Sequence, residues 1–297
     1  MNDPAGIGMG LDWPSLIALA WRLARVALIG LGVLWLVALG LLWALQRNFL
    51  YMAPRPPPGL PPPGYEAIAL ETSDGLTLTA WYRRAAAGRA TMLFFSAQGA
   101  SLDWSAEWAM GFADAGYGLL LLSFRGFDAN PGSPSEQGLY RDGRAALAWL
   151  ATHDTPRPVL VGLSLGTGVA AEMAAEAAGP PPDWPAETHP QALILLSPYR
   201  SITEMAAMRY PIFPTRPLVK DRFDTEAKIA TVRMPILIVH GKLDDLIPIA
   251  QGLAVYDKAR APKQFLSLPD AGHNYPSLAI LPQVEAFLAA RRVPRAD

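Results

Sequence analysis

The sequence predicts an α/β protein: an eight-stranded, mostly parallel sheet with helices on both faces, preceded by one membrane-spanning helix. Three observations carry that reading. Six short, nearly uninterrupted apolar runs alternate with stretches of helical spacing, as strands covered on both faces require. Two earlier runs flank "ETSDG", whose Asp74-Gly75 marks a hairpin turn, so the first pair is antiparallel. Near the N-terminus, Val26 to Leu45 form 20 residues without a charge.

Composition sets the outer bounds. The 297 residues leave room for one large domain and an extra segment. Hydrophobic residues make up 51% against 17% charged, and the mean hydropathy is +0.18. A net charge of −1 without a long basic run argues against nucleic acid as a partner, because phosphate binding needs clustered positive charge. The chain has no cysteine, which excludes disulfides, thiolate metal sites and a cysteine nucleophile. No cofactor and no metal site are expected.

From the N-terminus, residues 1–25 read as a tail and 26–45 as the anchor. At ~1.5 Å per residue the anchor matches the ~30 Å hydrocarbon core. Trp21 and Trp43 lie near its ends, where interfacial rings are favoured. The run is long for the apolar part of a signal peptide and no clear small-x-small cleavage site follows, so it is read as retained. Arg22 and Arg25 before it nearly balance Arg47 and Arg55 after it. The reading leans towards the extracytoplasmic side for the globular part.

Residues 46–64 form the linker. In "APRPPPGLPPPG", seven of the twelve residues are proline, which favours extended polyproline geometry and reads as a stiff spacer rather than a ligand for another domain. The globular domain occupies 65–297. Its strands are expected at Tyr65–Leu70, Leu76–Tyr82, Thr91–Phe95, Gly118–Phe124, Val159–Leu163, Ala192–Leu196, Pro235–His240 and Gln264–Leu268. Leu139, Gly143, Ala146, Leu147 and Leu150 follow helical spacing, and Thr167–Ala178, Ile249–Ala259 and Pro276–Arg291 also read as helices.

Gly162-Leu163-Ser164-Leu165-Gly166 falls where the fifth strand gives way to a helix. Glycine-rich turns of this kind also bind phosphate or simply pack. In this context, however, Gly-x-Ser-x-Gly is a nucleophile elbow: a sharp turn that lifts the serine oxygen clear, with glycines where a side chain would collide. A serine nucleophile needs a base, and the base needs an orienting acid. Four histidines are available. His153 and His189 precede strands and fall at the wrong end of a sheet whose sites lie beyond the strands' carboxyl ends. His240 ends the seventh strand and reads as packed in the turn. His273, after the eighth strand, is the base candidate. "HGKLDDLIP" offers Asp244 and Asp245 as the acid; Asp244 is the choice and Asp245 its competitor, while Asp270 reads as a turn former.

Blocks beyond these residues carry a resemblance: "SFRGFDANPGSPSEQGLYRDGRAALAWL", "GLSLGTGVA", "LLSPYRSI", "MPILIVHGKLDDLIP", "DAGHNYPS" and, after the anchor, "LQRNFLYMAPRP". Together they resemble the alpha/beta-hydrolase-fold serine hydrolases, within them the membrane-associated group of monoacylglycerol and lysophospholipid lipases and protein depalmitoylases. The resemblance implies hydrolysis of an acyl ester or thioester by Ser164, Asp244 and His273, with an acyl lipid and the bilayer as partners. It implies an oxyanion hole from the backbone N–H groups of Leu165 and Gln98. Here the sequence departs from the family: Ser96-Ala97-Gln98-Gly99 stands where the family has His-Gly-Asn and a small residue, which alters the loop. The resemblance also implies a cap after the sixth strand, about 199–233, whose Met205, Met208, Tyr210, Phe213 and Phe223 are read as the wall of an acyl pocket, against the alternative that they pack the cap's own core. Two rival readings are a non-catalytic membrane scaffold, supported by the altered loop, and a peptidase of the same fold, which calls for a larger cap or a propeller domain.

Overall fold

A computed structural model describes residues 12–155, 157–181, 184–185 and 188–290. Residues 1–11 of the expected tail, and Arg291 at the end of the expected last helix, lie outside the described residues. The chain divides into two compact units, Met1–Gln46 and Arg47–Asp297. The first is helical from Trp13 onwards. Its helix, α1 (Trp13–Tyr51), runs 39 residues and is long and apolar enough to cross a membrane. It exceeds the expected 26–45 because arginine limits a membrane span but favours a helix. Pro14 sits in its first turn, where a missing N–H costs nothing.

The second unit contains the sheet. Its strands are β1 (Glu66–Glu71), β2 (Thr77–Arg83), β3 (Thr91–Phe95), β4 (Gly118–Leu122), β5 (Val159–Leu163), β6 (Ala192–Leu196), β7 (Ile236–Gly241) and β8 (Lys263–Leu268). They lie in the order β1-β2-β4-β3-β5-β6-β7-β8. β2 pairs antiparallel with β1 and β4, and the other pairings are parallel. All eight expected strands are therefore present, three with the expected ends and five with an end shifted by one or two residues.

The helices are α2 (Leu102–Trp108), α3 (Met110–Asp114), α4 (Glu136–His153), α5 (Gly166–Glu176), α6 (Ile202–Arg209), α7 (Thr215–Leu218), α8 (Thr225–Ile229), α9 (Ile249–Lys258) and α10 (Leu281–Ala290). Each residue of β3 to β6 is buried, and strand alternation deals their side chains into two cores. Leu93, Phe95, Leu160 and Leu195 meet α4 and α5 on one face. Met92, Phe94, Val161 and Leu196 meet α2, α3 and α10 on the other. The helical stripe Leu139, Ala146, Leu147 and Leu150 is fully buried on the first face, as its spacing predicts. Cutting Leu160 to alanine there would cost about 2–5 kcal/mol.

The proline-rich stretch is not a free spacer. The Asp128 N–H donates to the Pro54 carbonyl at 2.7 Å, the Gly59 N–H donates to Asp103 Oδ2 at 3.0 Å, and Arg83 reaches the Pro63 carbonyl at 3.4 Å. Proline lacks a donor but keeps its carbonyl, so an extended proline chain presents acceptors that a globular surface can hold. The globular unit accordingly begins at Arg47 rather than Tyr65.

Candidate active site

β3 and β5 are neighbours, so the loop after β3 and the elbow after β5 emerge side by side. Ser164 has φ +51°, in the left-handed region that costs a side-chain-bearing residue roughly 1–2 kcal/mol. Three hydrogen bonds hold it there. The Ser164 N–H donates to the Leu196 carbonyl at 2.9 Å, and the Ser164 carbonyl accepts from the Thr167 N–H at 3.0 Å and its hydroxyl at 2.6 Å. A Cβ on Gly162 would stand 2.6 Å from the Gly166 carbonyl oxygen, and one on Gly166 would overlap the Phe95 carbonyl. Both glycines thus serve the close approach of β5, α5 and β3. The N-terminus of α5, which has no side-chain cap, lies at the serine, and its dipole favours negative charge there.

The acid and base come from the far end of the sheet. After β7, the Lys242 N–H donates to the Leu268 carbonyl and the Leu243 N–H to the Ala271 carbonyl, both at 2.9 Å. These bonds stitch the Asp244 loop to the His273 loop. Gly241 permits the contact, since a Cβ there would overlap the Gly272 carbonyl oxygen. The result is a continuous chain: His273 Nδ1 lies 2.8 Å from Asp244 Oδ2, and His273 Nε2 lies 3.1 Å from Ser164 Oγ. A carboxylate only accepts, so Nδ1 carries the proton and Nε2 is left to accept from the serine. Ser164 and Asp244 are each 6% exposed.

Asp244 is held from several sides. Its Oδ1 accepts from the N–H groups of Leu246 at 3.1 Å and Ile247 at 2.8 Å. Burial alone would raise its pKa. Hydrogen bonds from His240 and His273 and from the Ile247 amide outweigh burial and hold the carboxyl below the ordinary carboxylate range. His240 is fully buried, and its Nε2 lies 2.7 Å from the Ile247 carbonyl and 3.5 Å from Asp244 Oδ2. It packs in the turn, as its sequence position suggests, but it also braces the acid, which spacing alone did not reveal. Asp245 and Asp270 are exposed, Asp270 in a turn, and His153 is exposed at the end of α4.

The two backbone donors expected for an oxyanion hole also sit beside the serine's elements. Leu165 follows Ser164 directly, and Gln98 lies in the turn after β3. Among the described residues neither N–H has a hydrogen-bond partner. The Leu165 carbonyl accepts from the buried Tyr199 hydroxyl at 3.2 Å, a support that the sequence reading did not identify.

The expected cap is present as α6, α7 and α8. Of its five pocket candidates, Phe223 must be reassigned. It is fully buried, lies 6.4 Å from the Tyr51 ring and 5.8 Å from the Tyr140 ring, both edge-on, and packs against Gly168. It is a core residue that seats the cap. Met205 is half-buried against the same core, Phe213 is half-buried, and Met208 and Tyr210 are exposed.

No protein-family model matches the chain. An uncharacterized protein of Mycobacterium tuberculosis is 33% identical over 283 residues, covering 91% of this chain and 95% of the relative. The alpha/beta hydrolase domain-containing protein WAV2 of Arabidopsis thaliana is 30% identical over 231 residues, covering 70% of this chain and 72% of the relative. Among solved structures, an esterase of Pyrococcus furiosus superposes with a TM-score of 0.61 at 17% identity, covering 81% of this chain and 98% of its own. That likeness shows the fold. With the eight-stranded sheet and the serine elbow at its carboxyl edge, these relatives show that the chain belongs to the alpha/beta hydrolase domain-containing proteins.

Proposed function

We propose that this chain is a membrane-anchored serine hydrolase that cleaves carboxylic esters or thioesters of acyl lipids. The observation that carries the reading is the hydrogen-bonded series Ser164, His273, Asp244 at the carboxyl ends of β5, β8 and β7. Ser164 Oγ attacks the acyl carbon while His273 Nε2 takes its proton. The negative charge that forms on the substrate oxygen is met by the Leu165 and Gln98 N–H groups, a pair of fixed donors that need no reorganisation. His273 then protonates the leaving alcohol or thiol. A water molecule activated by the same nitrogen cleaves the acyl-enzyme. Asp244 holds the imidazole in the required tautomer and stabilises its charged form.

The acyl-lipid assignment is supported by α1, which is long and apolar enough to cross a bilayer, and by apolar Met205, Met208, Tyr210 and Phe213 in the cap. An enzyme held at a membrane meets acyl chains that scarcely enter bulk water, so location contributes to selectivity. The test is covalent labelling of membranes by a fluorophosphonate, with competition by a panel of acyl lipids. Wild-type protein is expected to label and Ser164→Ala to remain unlabelled while folding normally. Labelling that persists in Ser164→Ala would remove the basis of the assignment. Recovery of the full chain in the soluble fraction after alkaline carbonate extraction would refute the anchor.

A further inference from the structure

The end of α1 makes contacts that neither the nucleophile nor its partners require. An α-helix leaves its last four carbonyls without intrahelical partners. In α1 these belong to Asn48, Phe49, Leu50 and Tyr51. The Asn48 carbonyl accepts from the Met52 N–H at 3.2 Å. Two of the others find their donors in the loop after β3: the Gln98 side chain donates its Nε2–H to the Phe49 carbonyl at 2.7 Å, and the Gly99 N–H donates to the Tyr51 carbonyl at 3.0 Å.

The helix end is itself a rigid mount within the globular unit. Tyr51 is 1% exposed and packs in the core. Arg47 grips Asp221 through two bonds, Nε to Oδ2 at 2.7 Å and Nη2 to Oδ1 at 3.1 Å. That fork is the strong geometry for a guanidinium and a carboxylate. Asp221 is nearly buried and also accepts from the Glu136 N–H at 3.0 Å, which ties the mount to the start of α4. The loop after β3 therefore lies between two fixed bodies: the last turn of α1 on one side and α5, through the Gly166 approach to Phe95 and Ser96, on the other.

We infer that Gln98 is a positioning residue: its side chain, clamped to the Phe49 carbonyl, aims its own backbone N–H at the developing oxyanion. This rests on the reading that Ser164 is the nucleophile and that the Gln98 N–H is an oxyanion donor. The clamp adds to the Gly99–Tyr51 bond a second fixed point for the altered Ser96-Ala97-Gln98-Gly99 loop, held by the side chain of the residue whose N–H is to be aimed. Removing a whole oxyanion donor costs roughly 100- to 1,000-fold in kcat. Releasing the side chain that aims one, while the N–H remains, is expected to cost about 10- to 100-fold on the same scale.

The experiment uses the full chain in detergent micelles, with Gln98→Met and Gln98→Glu as the variants. Both keep the backbone N–H and the side-chain length, and neither can donate to the Phe49 carbonyl. Gln98 is half-exposed, so both variants are expected to fold. Steady-state rates on a short-chain p-nitrophenyl ester are measured beside the inhibition constant of an alkyl trifluoromethyl ketone, whose hemiketal oxyanion occupies the hole. The expected result is a fall in kcat of about 10- to 100-fold with KM within about twofold, and a rise in the ketone constant by the same factor. A purely structural role would lower the melting temperature and leave kcat per labelled serine and the ketone constant unchanged. Values for both variants within twofold of wild type, with Ser164→Ala inactive, would overturn the positioning role alone. Hydrolysis by Ser164→Ala at the wild-type rate would overturn this inference together with the reading beneath it.

Discussion

Replacing Asp244 by asparagine separates the triad assignment from its nearest competitor. Two N–H groups, those of Leu246 and Ile247, point at Oδ1, so the oxygen of an asparagine amide must stay on that side. Its NH2 group then takes the place of Oδ2, 2.8 Å from His273 Nδ1. Two donors cannot face each other at that distance. His273 is forced to accept at Nδ1 and to carry its proton on Nε2, 3.1 Å from Ser164 Oγ. The serine proton then has no acceptor. The same tautomer reversal in a serine protease costs about 10⁴-fold in kcat, or about 5.5 kcal/mol of barrier, and a loss of that order is expected here. The assay is kcat on a soluble ester, normalised to protein with native secondary structure and melting behaviour. Asp245→Asn is the control: Asp245 is exposed, and the variant is expected within twofold of wild type. If Asp244→Asn keeps more than a tenth of the wild-type kcat, or if Asp245→Asn is the more damaging change, the acid is misassigned.

Ser164→Gly is expected to abolish turnover and yet raise stability by about 1 kcal/mol over Ser164→Ala, because φ +51° costs glycine nothing; equal melting temperatures would mean that the turn is unstrained. His240→Gln is expected to lower the melting temperature by several degrees, since His240 is fully buried and bonded to the Ile247 carbonyl, while kcat of the folded fraction falls less than tenfold; a stable but inactive variant would make His240 part of the chemistry. The Asp244 carboxyl is held low in the folded state, so its stabilising contribution is full above the ordinary carboxylate value and is lost as pH falls below it. The gap in melting temperature between wild type and Asp244→Asn should therefore be widest near neutral pH, start to narrow only below about pH 4 and disappear well below that; a gap independent of pH would show that the carboxyl is not held low.

Much of this protein was legible in one dimension because its strongest signals are local. Strands buried on both faces must be apolar at every position, so β3 to β6 announce themselves as unbroken runs. The elbow is equally local: Gly162 and Gly166 flank Ser164 because the strand-to-helix turn leaves no room for their side chains. Chain order and the carboxyl-edge rule then reduced four histidines to His273. What the tertiary structure alone decided concerns groups whose partners lie far away in sequence. The short helices α2, α3 and α6 to α8 span too few turns for a periodic stripe, and whether Phe223 faces a pocket or the core depends on Tyr51 and Tyr140, some 80 to 170 residues away. The bracing of Asp244 by His240 needed the loop after β7 to fold back on its own strand. The docking of residues 47–64 uses, beside the Arg47–Asp221 pair and the buried Tyr51 ring, four main-chain carbonyls, those of Phe49, Tyr51, Pro54 and Pro63. Every residue carries such a carbonyl, so no side-chain pattern could mark which of them the fold would use.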